Sequence, residues 1–558
     1  MLKGIRLVVS LIICPFIIRA ELATQVSQWG ITWYFNGEYE VGQFANGDWW
    51  VVGPVTIDSI TPKAIYGDIN NGDTNAVCTG FSAGQANCRS WCEANAPAGY
   101  TSVCTGGARG YGVCHCVKIL HGWEVNPTSF SGLQGFDSRT GGADVSLIPD
   151  LPYTAQGGES IVKVISDTTV TGKYNLLITA AVLTVVSEIP PDSGKTVFRP
   201  PYVGSDKPYY SINDLHTELL PELNPVEYTP TLAEMAAKFK RVQFDHLNGG
   251  ARRHLHPVEN IPSYGGDIGS RNGDAALRLM LNDPLEEKME LLIYYVQYGI
   301  DLYHFALNGN TLSGSADGHY PGQKLPLVFT AVMLDNQEMK DLVKAHDEMH
   351  EDVLTWIGTN GGVPLYGSDQ GYSFADLERR YWEVAVSYVA GHVSGYKSYR
   401  DPYGWIDGGY IPGGGYQYCC TTQPWKGEVL AFYLMPEMRL VYDNPVLFGY
   451  IDRWVEHGTW AQPDPCAPPE STMDNYGITF GPDPNNPGDC IRDTDSSDGI
   501  GRYPERHGQD VDGGGRYSNF QKAMWDAYRH TVDIETGEID KNNPIQPEFV
   551  CLTPNPYN

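Results

Sequence analysis

The sequence predicts a multidomain chain of α and β structure. An N-terminal antiparallel β-sandwich-like domain with a disulfide-rich insert precedes a mainly helical α/α toroid. Three observations lead there. Aromatic and β-branched residues alternate with polar ones in the first part of the chain, the period of a half-buried strand. Six cysteines crowd between Cys78 and Cys116. After Thr231 the apolar period becomes helical.

Taken in order, MLKGIRLVVSLIICPFIIRA reads as a signal peptide, with residues 1–23 assigned to it. Lys3 and Arg6 give the charged start, Leu7 to Ile18 the apolar run, and Ala20 or Ala23 the cleavage site. The run is too short to span a bilayer, and no later stretch is long and apolar enough to do so. A secreted, extracellular protein with no membrane span is expected. The 12 cysteines fit an oxidising compartment. Cys14 leaves with the signal, so 11 remain, and an odd number implies a free thiol or an intermolecular bond.

Residues 24–190 are assigned to the β domain. GITWYFNGEYEVGQFANGDWWVVGPVTIDSITP alternates, with turns expected at Asn36-Gly37 and Asn46-Gly47. ESIVKVISDTTV and NLLITAAVLTVVSEIP read as buried strands. Within this domain, residues 74–118 form the insert, with the spacing C-x9-C-x3-C-x11-C-x9-C-x-C. Cys88 and Cys92 share a helix face, and Cys114 and Cys116 share a strand face, so sulfurs can staple helix to sheet. Zinc is the rival use of such a cluster. Cys466 and Cys490 are further disulfide candidates, while the pairing of Cys419, Cys420 and Cys551 stays open. Residues 191–230, rich in Pro and Tyr, are expected to be a linker lying across a surface.

Residues 231–558 are assigned to the helical domain. Its clearest helix begins near Asn282. Asp283 is the expected N-cap, Pro284 the first helical residue and Glu286 the partner in a capping box. Met289, Leu292, Val296, Ile300 and Tyr303 mark an apolar face, and Asn308-Gly309 the stop. Further helices are expected in LAEMAAKFKRVQFDH, DAALRLMLN, KLPLVFTAVML, NQEMKDLVKAHDEMHEDVLTWIG, WKGEVLAFYLMPEMRLVY, NPVLFGYIDRWVEHG and NFQKAMWDAYRH. Long Gly-, Tyr- and Asp-rich loops separate them. Antiparallel helices with polar loops at one end suggest the toroid.

The chain carries no H-E-x-x-H or P-loop motif. Its chemistry lies in four constellations. The first holds His246, Arg252, Arg253, His254, His256 and Tyr264; paired arginines suit carboxylates or sulfates. The second is the loop from Asn308 to Lys324, where His319 suits a general base and Tyr303 or Tyr320 its acid partner. The third is YGWIDGGYIPGGGYQYCC, whose Trp405, Tyr410 and Tyr416 suit stacking on a sugar ring. The fourth, around His507, includes Asp493, Asp495, Asp498, Asp510 and Asp512, an oxygen set that could hold a structural Ca²⁺, but the spacing matches no EF-hand and a solvated acidic loop is the better reading. No other metal is assigned.

Net charge is −29, which excludes broad nucleic-acid binding but not an anionic substrate in a locally basic cleft. Tyr (35) and Trp (13) are plentiful, as on carbohydrate-facing surfaces. The partner expected is an acidic polysaccharide or another glycan.

Two family resemblances add to this. The cysteine spacing resembles the cysteine-stabilised αβ module of the defensin-like proteins, which implies the bonds Cys78–Cys104, Cys88–Cys114 and Cys92–Cys116. The stretches YYVQYGIDLYHFA…GHYPGQKLPLVF and WKGEVLAFYLMPEM…FGYIDRWVEHG, behind a signal peptide and a β domain, resemble the α/α-toroid polysaccharide lyases of the heparinase and alginate-lyase type. That resemblance implies β-elimination on a uronate with no cofactor required. Asn308, Arg253 or His254 would neutralise the carboxylate, and His319 or a tyrosine would take the C5 proton. Arg252, Lys324, Trp405, Tyr410, Tyr416 and His507 would hold the glycan. The alternatives are a glycoside hydrolase using Asp317 with Asp407 or Glu383, and a glycan-binding protein without activity.

Overall fold

The structure, a computed structural model, describes residues 21–70, 81–105, 113–129, 132–172, 174–247, 254–260, 266–313, 320–357, 364–366, 421–457, 478–482, 485–493 and 518–532. The first strands are β1 (Glu21–Gln28), β2 (Ile31–Gln43), β3 (Trp49–Val52), β4 (Val55–Thr61) and β5 (Ile65–Asn70). Next come helix α1 (Phe81–Asn95) and strands β6 (Thr101–Thr105), β7 (Val113–Leu120) and β8 (Trp123–Val125). Strands β9 (Tyr153–Ala155), β10 (Glu159–Ser166) and β11 (Leu177–Val186) complete the region. An eight-stranded sheet runs β8-β10-β11-β3-β2-β4-β9, with β1 also on β2. It is antiparallel except where β11 runs parallel to β3, a departure from the all-antiparallel expectation.

Asn46-Gly47 makes its expected turn, with Gly47 at φ 82°. Asn36-Gly37 does not: it lies inside β2, where Asn36 Oδ1 accepts the Tyr39 hydroxyl at 2.7 Å. The turn before β2 is instead Trp29-Gly30, both residues at positive φ, as a two-residue hairpin with right-handed twist requires. Among the described residues, β1 runs from Glu21, paired with Val41. Cleavage after Ala20 would therefore leave β1 whole, whereas cleavage after Ala23 would cut it.

Strands β10 and β11 explain how the two halves of the chain meet. Ile161, Ala181, Leu183 and Val185 point into the core of the sheet region. Val162, Val164, Leu177, Ala180 and Val182 point the other way, into the core of the helices. Both faces are covered, so the two strands read as nearly continuous apolar runs. Each of the Val, Leu and Ile side chains contributes roughly 1.5–3 kcal/mol by leaving water.

The cysteine module is tied into the same architecture. Strands β5, β7 and β6 form a three-stranded sheet, and Val117 and Ile119 of β7 enter the core of the sheet region. The insert thus supplies part of the domain's interior. Cys88 bonds Cys114 and Cys92 bonds Cys116, as the defensin-like resemblance implies. Cys78 lies outside the described residues, as do Cys419, Cys420, Cys466 and Cys551, and only the backbone of Cys104 and Cys490 is described.

The expected linker is not a surface strap. Phe198, Tyr202, Val203, Leu215, Leu220 and Leu223 are buried in the helical core. Arg199 joins the two regions: its Nε donates to Asp48 Oδ2 at 2.7 Å and its Nη2 to Asp301 Oδ2 at 2.5 Å.

The first described helices after the linker are α2 (Leu232–Ala237), α3 (Gly266–Leu279), α4 (Leu285–Leu307), α5 (Lys324–Met333), α6 (Gln337–Ala345) and α7 (His350–Val353). They continue with α8 (Thr422–Leu434), α9 (Pro436–Val441), α10 (Pro445–His457) and α11 (Asn519–Tyr528). Helix α4 is the longest of these. Pro284 is its N-cap and no side chain caps it; Asp283, the expected cap, pairs with Arg278 instead. Residues such as Leu291, Tyr295, Tyr298, Leu302 and Phe305 bury it on every side, so it is a central helix rather than a surface one. Gly309 at φ 86° ends it as expected.

Helices α3 and α5 meet through glycines. Gly322, at φ 87°, would place a Cβ 2.1 Å from Gly269 Cα. Gly322→Ala is expected to destabilise the protein by about 1–3 kcal/mol, since both the backbone conformation and the contact oppose it. A urea midpoint equal to wild type would count against this close packing.

Candidate active site

Several polar segments converge at one end of the helices. Asn310 Nδ2 donates to the carbonyls of Asp245 and His246, at 3.2 and 3.4 Å. Asn272 Nδ2 donates to Gly322 O at 2.6 Å. Gln323 Nε2 reaches the Tyr298 hydroxyl at 3.4 Å. Gly269 packs on Pro424 at the start of α8. The stretches holding Arg252 and Arg253, His319, and Trp405 to Tyr416 therefore adjoin, in sequence, residues that meet here.

At the centre is a phenol–carboxylate–imidazole relay. Tyr298 donates to Asp245 Oδ2 at 2.6 Å, and His256 Nε2 lies 3.1 Å from Asp245 Oδ1. Beside it, His246 Nδ1 lies 2.7 Å from the Tyr202 hydroxyl. Burial pulls the His246 pKa down to about 3, so that imidazole is neutral.

Arg271 of α3 faces this relay. Its Nη1 donates to Gln243 Oε1 and Asn260 O, each at 3.0 Å. Its guanidinium lies 4.6 Å from the Phe239 ring centroid and 5.7 Å from that of Tyr298. Among the described residues, Nε and Nη2 have no hydrogen-bond partner, although the side chain is buried. Burial draws its pKa below the ordinary value, opposed by Tyr298 and Asp245. The neighbouring buried charges of α3 are differently placed. Arg278 has Asp283 and the Pro230 carbonyl, and Asp274 has Ser518 and Gln521. A buried cation with idle donors costs free energy that an added anion would offset.

Phe239, Gln243 and Tyr298 also line a cavity of about 10 Å³, together with Asp48, Arg199, Lys240 and Arg241. This is room for about one water. The cavity lies at the junction of the β2–β3 turn with the helical half.

A second group lies on the far side of Gln323. Glu351 Oε1 accepts the Trp425 indole N–H at 3.1 Å and the Gly322 N–H. Glu351 Oε2 and both oxygens of Glu428 have no hydrogen-bond partner among the described residues. Burial pushes Glu351 up to about 7, and burial with the nearby Glu351 charge pushes Glu428 well above the carboxylate range.

Comparisons with known protein families, curated proteins and solved structures find no match. The reading of the site therefore rests on this geometry.

The expected residues are dispersed. Tyr320 is buried edge-on to His350, at 5.8 Å. Tyr303 is buried against His304, at 5.0 Å, and burial raises its pKa. His254 Nδ1 lies 2.7 Å from Thr140 Oγ1, at the junction with the sheet region. Asn308 is an exposed helix cap donating to His304 O at 2.8 Å. Lys324 is buried, its Nζ 2.8 Å from Asp352 and 2.7 Å from the His346 carbonyl, so its charge is already engaged. None of these joins the Arg271 relay. His319, Arg252, Arg253, Trp405, Tyr410, Tyr416 and His507 lie outside the described residues, as do Asp317, Glu383 and Asp407. So does most of the acidic set considered for Ca²⁺. Among the described residues, the one group of three ligand atoms spaced for a metal is Cys88, Cys92 and Cys114, which the disulfides occupy.

Sequence reasoning named His256 but missed Asp245, Arg271, Tyr298, Glu351 and Glu428. Glu428 left a signal: it is a lone carboxylate within the apolar run of WKGEVLAFYLM. Arg271 left none, because GSRNGD reads as a loop and not as a buried helix.

Proposed function

We propose that this protein is a secreted carbohydrate-active enzyme, a lyase that cleaves a uronate-containing polysaccharide by β-elimination on a toroidal helical domain. The observation that carries this reading is the buried Arg271 guanidinium, with two nitrogens that have no partner among the described residues, beside the Tyr298–Asp245–His256 relay. A uronate carboxylate would complete the hydrogen bonding of Arg271, and its neutralisation would acidify the C5 proton. Tyr298 would take that proton while passing its own to Asp245, and the same phenol would then protonate the leaving oxygen. No metal enters this scheme.

The test is ultraviolet absorbance of the conjugated double bond during incubation with a panel of acidic polysaccharides. Tyr298→Phe is expected to lower kcat about 10²–10⁴-fold with KM little changed. An undiminished kcat would remove the phenol from the reaction.

A glycoside hydrolase is the second reading, favoured by a pair of buried acids, Glu351 and Glu428, whose pKa values burial raises. New reducing ends without ultraviolet absorbance, lost in Glu351→Gln, would establish it over the lyase.

A further inference from the structure

The cysteine module has an interior made largely of sulfur. Among the described residues, Cys88, Cys92, Cys114 and Cys116 form its buried centre, with Ile69, Trp91, Ala96 and Tyr100 packed around them. On the side facing away from the main sheet region, a covalent or metal staple adds to what so few apolar side chains hold by burial. The disulfides provide one. The placement of the sulfurs suits the other. Cys88 and Cys92 lie one turn apart on α1, and Cys114 and Cys116 lie on one face of β7. The sulfurs of Cys88, Cys92 and Cys114 are all within 4.8 Å of one another; Cys116 Sγ, bonded to Cys92, lies outside that group and would turn into it once reduced. Cys92 Sγ and Cys114 Sγ, which are not bonded to each other, are 3.9 Å apart. A tetrahedral zinc thiolate with bonds of about 2.3 Å places its sulfurs roughly 3.8 Å apart, so that pair already has the required separation. His115, between the two β7 cysteines, turns to the opposite face and meets Asp68 at 2.8 Å, leaving the sulfur side to thiolates.

We propose that Cys88, Cys92, Cys114 and Cys116 form a redox-gated zinc site, which binds one Zn²⁺ through four thiolates once both disulfides are reduced. With a phosphine as reductant, each disulfide consumes one phosphine and one water and yields two thiols and one phosphine oxide. Binding then releases four protons as Zn²⁺ replaces them, so affinity falls steeply as pH falls. The module would keep its shape in either state, held by sulfur–sulfur bonds when oxidised and by sulfur–zinc bonds when reduced.

The experiment uses the full chain, reduced with excess phosphine, freed of it under nitrogen and titrated with Co²⁺. The expected result is a thiolate-to-cobalt charge-transfer band with tetrahedral ligand-field bands, one site per chain, abolished by added Zn²⁺. The oxidised chain should show none of these bands. Losing even an outer hydrogen-bond partner costs a metal site about 10–100-fold, so Cys88→Ser and Cys114→Ser should each weaken Co²⁺ binding at least that much. Absence of the thiolate band in the reduced wild type would overturn the proposal. An undiminished band in both variants would also overturn it, by placing the metal on other cysteines of the chain. The near-ultraviolet dichroism of each oxidised variant checks that the rest of the protein has folded.

Discussion

Arg199→Met should destabilise the protein by about 3–5 kcal/mol, read as a lower urea midpoint at pH 7 with an unchanged m-value. Arg199 is 1% exposed and lies between two carboxylates that are themselves buried, Asp48 and Asp301. Removing the cation leaves both uncompensated. Asp48 retains donors from Gln28 and Asn46, each at 2.9 Å. Asp301 retains none of that kind, and its Oδ1 has no partner among the described residues. Even with Arg199 present, burial raises the Asp301 pKa to about 6. The loss should therefore be smaller at pH 5, where Asp301 can take a proton, than at pH 8. Adding Asp301→Asn to the variant should recover part of it. A fall of less than about 1 kcal/mol at pH 8 would mean that this ion triad does not hold the sheet region to the helices.

Glu428→Gln is expected to do the reverse and stabilise the protein, but only above mildly acidic pH. Burial and the Glu351 charge raise the Glu428 pKa in the folded state. The folded chain thus keeps a proton that the unfolded chain releases. That contribution to stability is complete below the ordinary carboxylate range and is lost as pH rises through the raised folded value. Glutamine keeps the shape and does not titrate. At pH 8 the variant should be the more stable of the two, read as a higher urea midpoint. At pH 3, below the ordinary carboxylate range, the two should agree within about 0.5 kcal/mol. His246 and His304, lowered to about 3 and about 4 by burial, give the opposite slope as pH falls below the usual histidine range. They are common to both proteins and cancel in the comparison. Equal stability at pH 8 would show that Glu428 is not a strained buried acid.

The strands and helices were legible where local patterning and burial agree. The runs around Ile161 and Val182 showed their burial by continuous apolarity, and Asn308-Gly309 marked a helix end by turn chemistry. The cysteine spacing was specific enough for two bonds to be anticipated. Legibility failed where distant contacts overrode local preference. Asp283 is a good cap by type, yet Arg278 claims it. The 191–230 stretch looks like a linker because its apolar residues lack a period, but Phe198 and Tyr202 fit pockets made by residues far along the chain. The candidate site was harder still. Tyr298 sits in an ordinary apolar helix pattern, and only its 2.6 Å bond to Asp245, 53 positions away, sets it apart from other core tyrosines.

The two-faced strands β10 and β11 have a consequence for ancestry and engineering. A sheet that gives one face to its own interior and the other to the helices is not a detachable part. Recombination at residue 190 would strip the helices of Val162, Val164 and Val182 and leave both fragments with a greasy wall facing water. The chain should therefore be inherited, expressed and evolved in one piece across that junction, and domain shuffling should find its tolerated seams elsewhere.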